Sequence, residues 1–200
     1  MTEPDRAEAM ARRLARTADR LGMEPDGRAL VVDAFRTAME PRRQIEEDHH
    51  PDYLHPARTA LILMDDTGES DPVTLAAAIF TETRDPALGA PARERARVSP
   101  EAASLADAIP AADAGDRLLE SLLALPTPGA RIAAAERLDH VRHLHLRDKG
   151  EWQPWHATTR EAYVPVARRV DTVLAARLDW WCDMFRSRYL SGPDGGLHEP

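Results

Sequence analysis

The sequence predicts an all-α fold, a single-domain bundle of about seven or eight helices over residues 1–190, with 191–200 as a disordered tail. Three observations predict it. Glycine is scarce, at 10 residues of 200, and aromatics make up 5 %, while Ala, Leu and Arg abound; that composition favours helices over sheets. Apolar residues recur at i, i+3 and i+4 spacing, with no hairpin signal and no internal repeat. Prolines punctuate those stretches at the intervals expected of short helices.

Each element follows in order. Residues 5–21 place Ala7, Met10, Leu14 and Leu21 on one side of a helix. Asp26 stands as a cap for a helix over 27–40, with Leu30, Val31, Ala34, Phe35, Ala38 and Met39 apolar, and Pro41 ends it. The polar segment RRQIEEDHHPDYL reads as a loop. A third helix follows Pro56 and runs to about Asp66, its core side near Ala57, Ala60, Leu61 and Met64, with Thr67-Gly68 closing it. Asp71-Pro72 opens a fourth, with proline in the first turn. Pro86 to Pro100 reads as an irregular loop in which Arg93, Arg95 and Arg97 face solvent. Ser99 precedes a helix over about 100–109. Leu118, Leu119, Leu122, Leu123 and Leu125 mark a core helix over 115–125, broken by Pro126 and Pro128. Residues 130–146 form another helix. A polar loop holding Trp152 and Trp155 then leads to a long final helix from about 156 to 190. On that helix Trp180, Trp181, Met184 and Phe185 read as core or as a homo-oligomer contact.

Composition excludes several classes. Cys182 is the single cysteine, so an internal disulfide and a Cys-rich zinc module are ruled out; amid aromatics it reads as a small buried residue. The formal net charge of −8 argues against a nucleic-acid partner, because phosphate contacts need a basic face. No apolar run approaches the roughly 20 residues that span a bilayer, and the charged start lacks a signal peptide's apolar stretch. The expectation is a soluble cytoplasmic protein with no membrane contact, with room for a local basic pocket that takes a small phosphorylated molecule.

Four segments carry a chemical pattern: QIEEDHHPDYLHPARTALIL at 44–63, TLAAAIFTETRD at 74–85, RIAAAERLDHVRHL at 131–144 and TTREAYVPVARRVD at 158–171. In this order and spacing they resemble the HD superfamily of metal-dependent phosphohydrolases. More narrowly, they resemble the hydrolase domain of RelA/SpoT proteins and its stand-alone relatives, which remove the 3′-pyrophosphate of (p)ppGpp, typically with manganese. The resemblance implies an HD-type helical bundle.

The resemblance also assigns positions. His55 matches the first metal ligand, Thr81 stands where the central His belongs, Glu82 replaces the adjacent Asp, and Glu136 replaces the last Asp ligand. Asp85 takes the place of an acid that helps activate water, so Asp85 and Glu82 are the implied catalytic positions. Glu46 stands where an Arg would stack on guanine. Asp139 and His140 replace a His-Asn pair whose Asn faces the nucleotide. Glu46, His140 and Arg84 are therefore the implied ligand-binding positions. The metal site reads as eroded. It implies no metal or a weakly held divalent ion, manganese by resemblance, and (p)ppGpp hydrolysis that is weak or absent.

His140 lies four residues after Glu136 on one helix face, so His55, Glu82, Glu136 and His140 can form a rebuilt site. The competing expectation is that His140, His143 and His145 make a partly solvated histidine face, and it is the one favoured. Three close carboxylates, Glu82, Asp85 and Glu136, also require a cation, with Arg84 or Arg137 the expected partner. Two classes stay open: an enzyme with a rebuilt metal site acting on another phosphorylated small molecule, and a non-catalytic domain that binds a ligand or a protein.

Overall fold

The structure is a computed structural model and describes residues 3–42, 53–82, 85–111 and 115–191. The chain runs through α1 (Glu3–Arg20), α2 (Pro25–Arg42), α3 (His55–Leu61), α4 (Pro72–Phe80), α5 (Ala92–Val98) and α6 (Pro100–Asp107). It continues through α7 (Leu118–Ala124), α8 (Thr127–Arg142), α9 (Lys149–Thr158), α10 (Val164–Val170) and α11 (Thr172–Phe185). Wider π-helical turns extend α3 over Ile62–Asp66, join α9 to α10 over Thr159–Tyr163, and extend α11 over Arg186–Leu190. The all-α class therefore holds, with no strand among the described residues and with more, shorter helices than the seven or eight expected. No described helix is long and apolar enough to cross a membrane.

Two alanine-rich helices form the centre. In α4 every residue from Thr74 to Phe80 is buried. In α8 every residue from Gly129 to Val141 except Arg131 is buried. A helix apolar on all sides is stable only when other elements surround it. α4 packs against α2, α3, α6 and α8, and α8 packs against α3, α10 and α11 as well. The runs Ala76–Ala78 and Ala133–Ala135 leave little side-chain bulk on either helix. One buried apolar cluster draws residues from every helix except α5, whose Val98 packs against it partly buried.

Several helix ends follow the local chemistry expected of them. Asp71 accepts a hydrogen bond from the Thr74 amide at 2.8 Å, and Ser99 accepts one from the Ala102 amide at 3.1 Å. Gly68 adopts φ +71°, which lets the chain turn back so that the Glu69 amide reaches the Leu63 carbonyl at 3.0 Å.

Three segments correct the sequence reading. Residues 86–100 are not an irregular loop: Pro86 opens a 3-10 turn, Pro91 precedes α5, and Pro100 opens α6. The prolines sit where helices start, where a missing N–H costs nothing. Trp152 and Trp155 lie on α9 rather than in a loop. Trp152 is buried edge-on against Phe185 (ring centroids 5.7 Å) and Tyr189 (5.3 Å), and that aromatic burial outweighs a polar local sequence. The long helix over 156–190 is broken at Asp171, which is extended (φ −160°) and caps α11 by accepting from the Val173 and Leu174 amides. Before that break the chain widens ahead of Pro165, which has no N–H to continue the ladder. A smaller difference is that α2 runs through Pro41 to Arg42. Of the aromatic pair on α11, Trp181 stacks on Phe185 at 4.7 Å in the core, and Trp180 is 67 % exposed. The tail from residue 192 onward lies outside the described residues.

Candidate metal centre

α8 buries four consecutive-turn polar residues, Glu136, Arg137, Asp139 and His140, in the middle of an alanine helix. Burying such groups costs several kcal/mol each unless they find partners. Those partners come from the helix ends around α8. His55 is the first residue of α3, Glu82 lies two residues beyond the end of α4, and Glu136 and His140 sit one turn apart on α8. One ligand atom from each of His55, Glu82, Glu136 and His140 lies within 4.8 Å of all the others. Ligand atoms bound at roughly 2.1 Å around a tetrahedral ion sit about 3.4 Å apart, so a modest contraction makes a coordination shell.

His55 is fully buried. Its Nδ1–H donates to Asp139 Oδ2 at 2.8 Å, and its Nε2 is buried without a hydrogen-bond partner. Asp139 is fixed on its other side by Arg58, which donates from Nε at 2.7 Å and from Nη2 at 2.8 Å, one bond to each carboxylate oxygen. Burial pushes the Asp139 pKa up, but the hydrogen bonds and charges of His55 and Arg58 outweigh it and hold the group well below the usual carboxylate range. An ionised Asp139 makes Nδ1 the donor, so a neutral His55 ring turns its Nε2 lone pair to the cluster.

The other residues of the cluster are held similarly. The His55 and His140 rings stack with centroids 4.1 Å apart, and His140 Nε2 lies 3.0 Å from Glu136 Oε1 and 3.6 Å from Glu82 Oε1. Arg42 donates to Glu82 Oε2 at 2.5 Å and also to the Leu88 carbonyl; the Arg42 and Glu82 side chains are 1 % and 2 % exposed. Burial raises the Glu82 pKa, but the His140 and His55 imidazoles and Arg42 bring it down to about 2. For Glu136 burial also acts upward, and His140 reverses it, leaving the pKa lowered.

The structure treats the sequence-derived positions unequally. His55, Glu82, Glu136 and His140 come together. His140 is buried, which corrects the favoured expectation of a solvated histidine face; His143 is half-buried and His145 exposed. Thr81 is buried but donates its hydroxyl back to the Ala77 carbonyl at 2.9 Å. Asp85 is outside the four-residue group: its carboxylate is exposed and caps a turn by accepting from the Ala87 amide at 3.0 Å, while its own amide donates to Glu82 Oε1 at 3.2 Å. Glu46 and Arg84 lie outside the described residues. Of the two expected charge partners, Arg84 is outside the described residues, so only Arg137 is corrected. Arg137 donates to Thr159 Oγ1 and to the Trp155 carbonyl, both at 2.8 Å, and lies 3.9 Å above the Trp155 ring. Among the described residues, Arg42 places a guanidinium on Glu82.

Arg42, Arg58 and the supporting role of Asp139 were missed by the sequence reading. Asp139 had a signal, since it stood at a motif position with changed chemistry. The arginines had none, as each is one of many along helices.

The donor set of two imidazoles and two carboxylates suits a divalent transition metal such as zinc, iron or manganese. Beside Glu82 lies a cavity of about 210 Å³ whose wall includes Arg95 and Asp107. Arg95 was expected in solvent, yet its side chain is 14 % exposed and pairs with Asp107 at 2.6 Å. Compared with known proteins, the chain matches no family model, no curated protein and no solved structure.

Proposed function

We propose that this protein is a metal-dependent hydrolase of a phosphorylated small molecule, built on an HD-type helical bundle whose metal site has been rebuilt. The observation that carries the reading is His55. A buried imidazole, fixed through Nδ1 by an ionised Asp139 and left with an orphaned Nε2 among Glu82, Glu136 and His140, is the carboxylate–histidine arrangement that metal ligands use. The residues present therefore fit a divalent ion held by His55, Glu82, Glu136 and His140. When bound, such an ion supplies Lewis-acid activation of water and of a phosphoryl oxygen.

The chain's own groups divide the remaining work. Asp139 and Arg58 hold the His55 ring. Arg42 offsets one negative charge and keeps Glu82 ionised and oriented. Arg95 places a guanidinium on the same cavity wall as Glu82, where it can hold a phosphoryl group. The resemblance to (p)ppGpp hydrolases supports the phosphorylated substrate class. Glu46, standing where an Arg would stack on guanine, disfavours (p)ppGpp itself.

The Arg42–Glu82 pair favours a second reading, because it satisfies Glu82 without any metal. On that reading the domain is a non-catalytic binder of a ligand or protein. The exposed Trp180 on α11 supports self-association through the C-terminal helix.

Elemental analysis of protein purified without chelator separates the two readings. About one equivalent of zinc, iron or manganese per chain is expected, and His140→Ala should abolish it. A panel of phosphomonoesters and nucleotides should then reveal a metal-dependent turnover that His140→Ala eliminates and Arg95→Gln weakens mainly through KM. Protein that takes up no divalent metal at micromolar concentration would leave the non-catalytic reading.

A further inference from the structure

Asp139 borders a second cavity. It has a volume of about 420 Å³, and guanidinium groups from four helices line it: Arg13 of α1, Arg58 of α3, Arg142 of α8 and Arg177 of α11. The acids on the same wall are Asp65, Asp66 and Asp139. Arginines collecting here, in a chain of net charge −8, go against the overall balance.

The three acids offset only part of this charge. Arg58 takes both oxygens of Asp139. Arg177 takes Asp66 at 2.7 Å, and Arg20, outside the lining, takes Asp65 at 3.0 Å. Arg13 then stands 3.7 Å from Asp65 and Arg142 stands 3.8 Å from Asp66, beyond hydrogen-bond reach. Crowded guanidinium forks with N–H groups left over are what a phosphoryl oxyanion engages, two bonds to each fork. The volume lies within the range of small-molecule sites, about 300–1,000 Å³.

We infer that this cavity is a second, separate binding site for a phosphoryl group, held between Arg13, Arg142 and Arg177 on the far side of Asp139 from the metal centre. The inference does not rest on the metal reading. Its ligand is either free phosphate or the phosphate of a small molecule.

Calorimetric titration of the purified full chain at low ionic strength tests it, with inorganic phosphate and a nucleoside monophosphate as probes. Arg142→Gln and Arg13→Gln are the test variants. Both side chains are more than a third exposed, at 38 % and 55 %, so the fold should survive; circular dichroism and melting check it. Loss of one charge-assisted hydrogen bond should weaken binding about tenfold in at least one well-folded arginine variant. In His140→Ala binding should stay within about twofold. Tighter binding of the monophosphate than of phosphate assigns the site to a phosphorylated small molecule, and equal binding assigns it to the free anion. Three results would each overturn the inference: no binding of either probe at millimolar concentration, binding unchanged in both arginine variants, or binding lost in His140→Ala, which would place the anion on the metal cluster.

Discussion

Arg42 reaches from the end of α2 to a carboxylate 40 residues away, and both partners are almost fully buried. Removing one member of such a pair leaves an uncompensated charge in a dry site. Arg42→Ala should therefore cost about 3–5 kcal/mol of stability, read by denaturant unfolding. A loss below about 1 kcal/mol would mean that Glu82 finds other compensation. Asp139→Asn keeps the shape and removes the charge that fixes the His55 tautomer. Metal affinity should fall about 10–100-fold in that variant, and the metal-free protein should also melt several degrees lower, because Arg58 and His55 lose a buried carboxylate partner. Unchanged metal affinity would show that His55 needs no such support. Cys182 is fully buried, and burial pushes its thiol up to about 11. Thiolate is thus scarcer at every pH below that value. At pH 8 iodoacetamide should label native protein far more slowly than protein in denaturant, and rapid native labelling would contradict the burial. At this scale His55, Glu82 and Glu136 were legible only through the resemblance to a known motif, and His140 through its place one helical turn after Glu136. The turning of Asp85 into a cap and of Thr81 onto the Ala77 carbonyl was not legible, because each depends on where the chain goes just after α4.

The elements show how one residue can outweigh a long periodic pattern. Apolar spacing runs almost unbroken from 156 to 190, so periodicity alone predicts a single helix. Asp171 ends that continuity by offering its carboxylate to two free amides of the next helix. The cap and the Arg131 contact at 3.4 Å make Asp171→Ala costly by about 1–2 kcal/mol, and the melting temperature should fall by several degrees. A variant as stable as the parent would show that packing against α10, not the cap, positions α11. The capping signal was present in the residues Asp171-Thr172 and was masked by the stronger apolar pattern around it. The opposite holds at α9, where Pro154 argues against a helix, and the Asp148 cap on the Gly150 amide and the docking of Trp152 against Phe185 and Tyr189 stabilise it. The prolines of 86–100 were visible, but their role as helix starts required knowing that the residues between them pack against α2 and α6.

At the scale of the whole molecule, α4 and α8 sit at the centre and bring the ends of α2, α3 and α4 to one point on α8. A metal that binds only this assembled site must stabilise the fold. At free metal about 100 times the dissociation constant the gain is about 2.7 kcal/mol, or roughly 5–10 °C in a chain of this size. Thermal melts with and without zinc, iron or manganese should show that rise in the parent chain and none in His140→Ala; an identical melt in both would speak for a metal-free domain. The sequence by itself determined the helical class and most helix starts, because propensity, proline placement and helical spacing act within a few residues, while the four positions that converge were suggested by the resemblance. Only the tertiary structure decided that His140 is buried, that Asp139 holds His55, and that Arg42 and Arg58 neutralise the acids. Those partners lie 40 to 84 residues apart in the chain, and their strength arises from the removal of water that packing alone produces.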